Sequence, residues 1–221
     1  MSVLAISNEP SAGPVPAGTW RVDASRSAVE FHVKHMMVAT VRGRFTAFDG
    51  TLEADEDGAL EARGTVQVAS LDTHEPKRDE HLRASDFFDA SRHPEITFVS
   101  TDITLLHAGG LVVTGELTIK GVTRSVVLTG TVQAVELDTG GNERVALELH
   151  GTLDRRDFGL TWNKALETGA ALVADQVQIE LAISAVRLDP DAALIGAQAG
   201  RQASSAASAP PRRRWASAWF G

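Results

Sequence analysis

Residues 176–183 read Gln-Val-Gln-Ile-Glu-Leu-Ala-Ile, and their large apolar side chains fall on every second position. Val177, Ile179, Leu181 and Ile183 are separated by residues such as Gln178 and Glu180. Period two belongs to an extended chain, whose successive side chains point to opposite faces. The segment therefore reads as a strand with one buried face and one wet face. The same rhythm recurs along the chain. Val29, Phe31 and Val33 alternate with Glu30, His32 and Lys34. Leu111, Val113, Leu117 and Ile119 alternate with Thr114, Glu116, Thr118 and Lys120. Val145, Leu147, Leu149 and Leu153 alternate with Glu148, His150 and Thr152. Comparable runs lie at 41–52, 60–68, 96–105 and 125–135, and Asp49-Gly50, Asp57-Gly58, Gly109-Gly110 and Gly140-Gly141 punctuate them as turn or bend signals.

Many antiparallel strands joined by short turns leave exposed edges unless the sheet closes on itself. An all-β, eight-stranded antiparallel barrel is expected, with an interior just wide enough for side chains or one slim ligand. One segment departs from period two. Asp72-Thr73 can cap a helix, Pro76 suits a first helical turn, and KRDEHLRASDFFD follows. This predicts a helical insertion at about 73–90, with a helix of roughly 12–15 residues. Leu82, Phe87 and Phe88 form its apolar side, and a lone helix on a barrel plugs or lids one end.

The composition excludes several classes. The chain has 221 residues, 43% of them hydrophobic and 23% charged, with a net charge of −8. No run approaches the roughly 18 apolar residues of a spanning helix. An acidic chain lacks the basic face of a nucleic-acid binder. Cysteine is absent, which removes disulfides, thiolate metal sites and cysteine nucleophiles. Residues 1–18 hold neither a basic nor an apolar signal region, so a disordered leader and a cytoplasmic protein are expected. Residues 19–187 form the barrel domain. Residues 188–221 are rich in Ala and Ser and read as a disordered tail. The stretch Arg212–Gly221, with Arg212, Arg213, Arg214, Trp215, Trp219 and Phe220, suits a weak membrane-surface contact. A tail without a role is the plainer alternative.

The chemistry-bearing residues are sparse. Seven histidines show no HExxH or two-His-one-carboxylate spacing, so no metal site is expected, although ligands from distant strands are invisible to spacing. There is no GxSxG, phosphate-cradling or dinucleotide loop, and no cofactor is expected. The densest charged cluster is Lys77-Arg78-Asp79-Glu80-His81, with Arg83 after it. It reads as a solvated helix face, as a cationic rim for a ligand headgroup, or as a base, His81, oriented by Asp79.

Five blocks resemble the YceI-like family in the same order: WRVDASRSAVEF (20–31), HVKHMMVATVRGRFTAFDGTL (32–52), SLDTHEPKRDEHLRASDFFDASRHPEITFVS (70–100), VTGELTIKGVTRSVVL (113–128) and DRRDFGLTW (154–162). The resemblance covers roughly residues 18–187. Arg26 stands where the family often has His before the Ser. The resemblance implies a lipocalin-like barrel with a helical insertion. It also implies an internal tunnel for a long-chain isoprenoid or fatty-acyl lipid, and often a homodimer. Many members are periplasmic, from which this leader departs. On that reading Phe31, Val33, Met36, Met37, Phe45, Leu82, Phe87, Phe88, Phe98 and Trp162 line the tunnel, alongside Val29. Arg78 and His81, from the RDxHL block, face the headgroup, with Asn163 and Lys164 as weaker donors. The expected function is a carrier or store without catalytic residues. The alternatives are an enzyme on an apolar substrate using Asp79 and His81, and a stress-associated structural module whose core is filled by these same side chains.

Overall fold

The computed structural model describes residues 14–35, 39–163 and 173–188. In chain order the strands are β1 (Gly18–Val22), β2 (Ala28–His35), β3 (Ala39–Phe45), β4 (Phe48–Ala54), β5 (Leu60–Gln67) and β6 (Leu71–Asp72). The helix α1 (Pro76–Arg83) follows, then β7 (Glu95–Leu105), β8 (Gly110–Ile119), β9 (Val122–Val132), β10 (Glu136–Leu137), β11 (Glu143–Asp154) and β12 (Val173–Arg187). Neighbouring strands are antiparallel throughout.

Six of these strands are halves of three longer, kinked ones. A short 3-10 turn at Ala24–Arg26 bends β1 into β2, and the Asp23 carboxylate stabilises it by accepting from the Ser25 N–H. Thr46-Ala47 bends β3 into β4, and a 3-10 turn at Val68–Ser70 bends β5 into β6. Counted through these bends, and with the two-residue β10 set aside as a short addition beside β11, the barrel has the eight strands expected, and pairing of β11 with β12 closes it. Closure removes the long free edges of an open sheet, which limits edge-to-edge association.

Period two is visible directly in β8, where Leu111, Val113, Gly115, Leu117 and Ile119 are buried and the residues between them are not. The interior divides into two packed clusters. One, the floor, contains Val15, Trp20, Leu52, Leu111, Val113, Leu128, Val132, Val145 and Ala185. The other, at the helical end, contains Phe45, Leu71, Phe87, Ile96, Ile119, Phe158 and Leu160. Packing reaches further toward the N-terminus than the boundary at residue 18. Val15 is only 3% exposed, and the Trp20 indole N–H donates to the Pro16 carbonyl.

The insertion at 73–90 holds α1, which is shorter than the sequence pattern suggests. Asp72 and Thr73 do not cap it; Glu75 occupies that position without a side-chain bond. The helix stops at Ala84 because the chain folds back. The N–H groups of Phe88 and Ala90 donate to the carbonyls of Leu82 and Arg83, and Asp89 turns into the left-handed region at φ 54°. No described helix is long and apolar enough to cross a membrane. The leader to residue 13 and the tail from residue 189 lie outside the described residues, so the expectations for them rest on sequence alone.

Candidate functional site

A cavity of about 680 Å³ runs through the barrel. From the floor it is lined by aliphatic side chains such as Leu52, Leu111, Val113, Leu128, Leu147 and Leu181. Toward α1 the wall becomes aromatic. Phe31, Phe45, Phe87, Phe88, Phe98 and Trp162 line it, together with Val29, Val33 and Leu82. The rings touch in series: Phe31 to Phe45 at 5.7 Å between centroids, Phe45 to Phe88 at 6.4 Å, Phe88 to Phe87 at 5.7 Å, and Phe87 to Trp162 at 6.3 Å. Arg78 and His81 border the cavity beside Glu75 and Lys77. Met36, Met37 and Lys164 lie outside the described residues.

Two glycines let aromatic rings lie flat against the wall. Gly43 sits opposite Phe31 on the neighbouring strand, and a Cβ on it would stand 2.2 Å from the Phe31 ring. A Cβ on Gly115 would stand 2.4 Å from the Phe98 ring. Phe98 packs against both interior clusters and so marks the passage between them.

The polar groups at the helical end are engaged in specific ways. Arg78 donates from Nε to the Thr73 hydroxyl and from Nη2 to the Thr73 carbonyl, both at 2.8 Å. Asp79 is buried and accepts from the Thr73 N–H and hydroxyl. Helix and preceding loop are thereby latched through one threonine. The His81 ring instead meets Asp86 at 2.8 Å and stands edge-on to Trp162 at 4.5 Å. Asp79 and His81 are thus engaged with different partners, and the arrangement of a base oriented by Asp79 is not formed. Asn163 uses its amide to donate to the Val173 carbonyl and accept the Val173 N–H, so it ties the end of the 155–163 segment to the start of β12.

Sequence reading gave Arg155 no role, although it stands in the quoted block DRRDFGLTW. It is 3% exposed. Its guanidinium donates to the carbonyls of Leu160, Trp162 and Ala174 and to the Asp175 carboxylate. This places Trp162 over the cavity. Its neighbour Arg156 holds the Asp154 carboxyl below the usual carboxylate range through direct hydrogen bonds. The signal in the sequence was an arginine pair beside Phe158-Gly159, where a chain reversal needs its carbonyls satisfied.

The barrel resembles solved structures. BcnA of Burkholderia cenocepacia aligns over 74% of this chain and 98% of its own, at 28% identity and a TM-score of 0.64. A polyisoprenoid binding domain from Saccharophagus degradans, implicated in plant cell wall breakdown, aligns over 76% and 98% at 16% identity and a TM-score of 0.59. In sequence, a UPF0312 protein of Pectobacterium atrosepticum is 32% identical over 191 residues, covering 85% of this chain and 96% of that protein. The YceI-like domain model matches residues 20–185, and the chain belongs to that family.

Proposed function

We propose that the protein binds one long-chain apolar molecule, a polyisoprenoid or a fatty-acyl derivative, inside the barrel and acts as its carrier or store. The observation that carries this is the cavity: about 680 Å³, walled predominantly by aliphatic and aromatic side chains, with Lys77, Arg78 and His81 at its helical end. That volume lies in the ordinary range for small-molecule sites, roughly 300–1,000 Å³. Each buried methylene contributes about 0.8 kcal/mol. Twenty of them supply ~16 kcal/mol, enough to exceed the cost of association and of ordering a chain. The Saccharophagus degradans domain, described as polyisoprenoid binding, supports the ligand class through its shared fold.

The ten candidate site residues that fall within the described set divide between two roles. Phe31, Val33, Phe45, Leu82, Phe87, Phe88, Phe98 and Trp162 form wall. Arg78 and His81 meet the headgroup, Arg78 through the Nη1 left over from its contacts with Thr73. The protein is a binder and not a catalyst on this reading. Organic extraction of the purified full-length chain, followed by mass spectrometry, tests it. A stoichiometric long-chain lipid is the expected result. Protein that carries none, and takes up none when offered a polyprenyl phosphate or a fatty acid, overturns the reading.

A further inference from the structure

The outer face of the barrel carries a second grouping of polar side chains. Glu30 on β2 and Glu180 on β12 are directly opposed in the ladder, and His32 lies two residues along β2 on the same face. Phe31, Val33, Ile179 and Leu181 line the cavity, so the alternate residues belong to the outer face, with Glu30 also reaching the cavity's border. One ligand atom from each of Glu30, His32 and Glu180 falls within 4.8 Å of the other two.

Several features set this grouping apart from ordinary surface charge. Two carboxylates directly opposed on neighbouring strands repel one another. Arg44, which faces Glu30 from β3, donates its guanidinium to Asp72 instead. No ion pair reaches Glu30 among the described residues. His32 has a side chain only 11% exposed and makes no hydrogen bond among the described residues; its Nδ1 stands 3.6 Å from Glu180 Oε1. A polar group that enclosed ordinarily has a partner. The 3.6 Å separation is too long for a hydrogen bond. It is close to the spacing of about 3.4 Å between donors that share a tetrahedral ion with bonds near 2.1 Å. The ladder between β12 and β2 holds the donors at this spacing without a loop that must be ordered first.

We propose that Glu30, His32 and Glu180 form a binding site for one divalent transition cation of the zinc type, completed by water. One imidazole and two carboxylates suit zinc, and the imidazole disfavours magnesium, which prefers an all-oxygen octahedron. The ion joins the two strands whose inner faces carry Phe31, Val33, Ile179 and Leu181, so its occupancy stiffens that wall of the cavity. His150, opposite Glu180 on β11, is held by Thr129 at 3.1 Å and stands outside the set. Histidine–carboxylate pairs elsewhere, His81 with Asp86 and His74 with Asp72, bring only two donors each.

The test is equilibrium dialysis and calorimetric titration of the full-length, chelator-treated protein with zinc, with cobalt as a spectroscopic probe and magnesium as a control. Wild type is expected to take up one equivalent of zinc at micromolar concentration, to show cobalt absorption in the visible, and to ignore magnesium. His32→Ala and Glu180→Gln should each weaken the site at least tenfold and abolish the rise in melting temperature that zinc produces, whereas His81→Ala should leave both intact. Far-ultraviolet circular dichroism confirms that the variants fold, and His32→Gln serves if His32→Ala does not. Wild type without a stoichiometric site, or a His32 variant that binds zinc as wild type does, overturns the proposal. Neither outcome bears on lipid in the cavity.

Discussion

The floor of the barrel and its helical end are built by different means. At the floor, Leu111, Val113, Val132, Val145 and Ala185 lie on regular ladders and pack around Trp20. Their positions follow from strand register, and any apolar side chain of similar volume would serve. At the helical end, part of the cavity border, including Arg78, His81, Leu82, Phe87, Phe88 and Trp162, sits on α1, on the segment after it and on 155–162, where there is no ladder. Single side chains hold these pieces: Arg155 through three carbonyls, Asp79 through Thr73, and Lys120 through the Ser85 carbonyl. A ladder distributes stability over many bonds, whereas a loop held by one guanidinium depends on it. The end proposed to meet a ligand headgroup is therefore the end where individual residues matter most.

The largest effect on stability is expected at Trp20. Its side chain is fully enclosed, and Trp20→Ala should cost about 3–5 kcal/mol. Urea denaturation measures this. The selectivity among bound chains should not change, because Trp20 lies outside the cavity wall. A loss under 1 kcal/mol would remove the floor's claim to be the anchored half. At the opposite end, Arg155→Met leaves three carbonyls without their donor and Asp175 with Arg156 alone, at a cost of about 3 kcal/mol. Here the decisive measurement is hydrogen exchange. Faster exchange should be confined to residues 155–163 and 173–176, and an even increase over the whole barrel would abolish the distinction between the two ends.

A smaller effect is expected where the two regions meet. Gly43→Ala places a methyl inside the Phe31 ring, which must swing into the cavity. Overpacking of this kind costs about 1–3 kcal/mol. The affinity for a methyl-branched chain should fall more than that for a straight one, and Phe31→Leu on the same background should restore both. Unchanged affinities for the two chains would show that this part of the wall does not gauge the ligand.

The same division explains how much the sequence discloses. Strands are legible because period two needs only adjacent residues: Leu111 to Ile119 alternates on paper as it does in burial. The all-β barrel and the wall residues Phe31, Val33 and Phe98 follow from that. The bends that join six strand segments into three barrel strands do not, since Thr46-Ala47 and Val68–Ser70 carry no strong turn signal. The helix was too long on paper because hydrogen bonds from Phe88 and Ala90 back to Leu82 and Arg83 end it, and these depend on the left-handed turn at Asp89. Arg155 was overlooked because its four partners span twenty residues of sequence. Glu30, His32 and Glu180 were out of reach for the same reason: spacing along a chain says nothing about residues 150 positions apart in adjacent strands.

The smallest effect is expected at a charged network beside the floor. Arg144 bridges Asp23 and Asp138 at 2.9 and 3.1 Å and also donates to the Ser184 hydroxyl. The N–H and side-chain amide of Asn142, with Arg144, hold the Asp138 carboxyl far below the usual carboxylate range. Hydrogen bonds from Ser25 and Arg144 lower Asp23 as well. A carboxyl lowered on folding contributes stability that is present above its unfolded value, 3.8, and is lost as pH falls through its folded value. Melting temperature should therefore drop progressively below about pH 4. Asp138→Asn keeps an acceptor for the Gly140 and Asn142 N–H groups and leaves Arg144 paired with Asp23, so the loss at neutral pH should be slight. What changes is the acid limb, which should become shallower because one titrating group is gone. Melting curves of both proteins between pH 2 and 7 decide the matter. Parallel acid limbs would mean that the carboxylates at the helical end, Asp72, Asp89 and Asp154, govern acid unfolding, and that the floor is held by apolar packing alone.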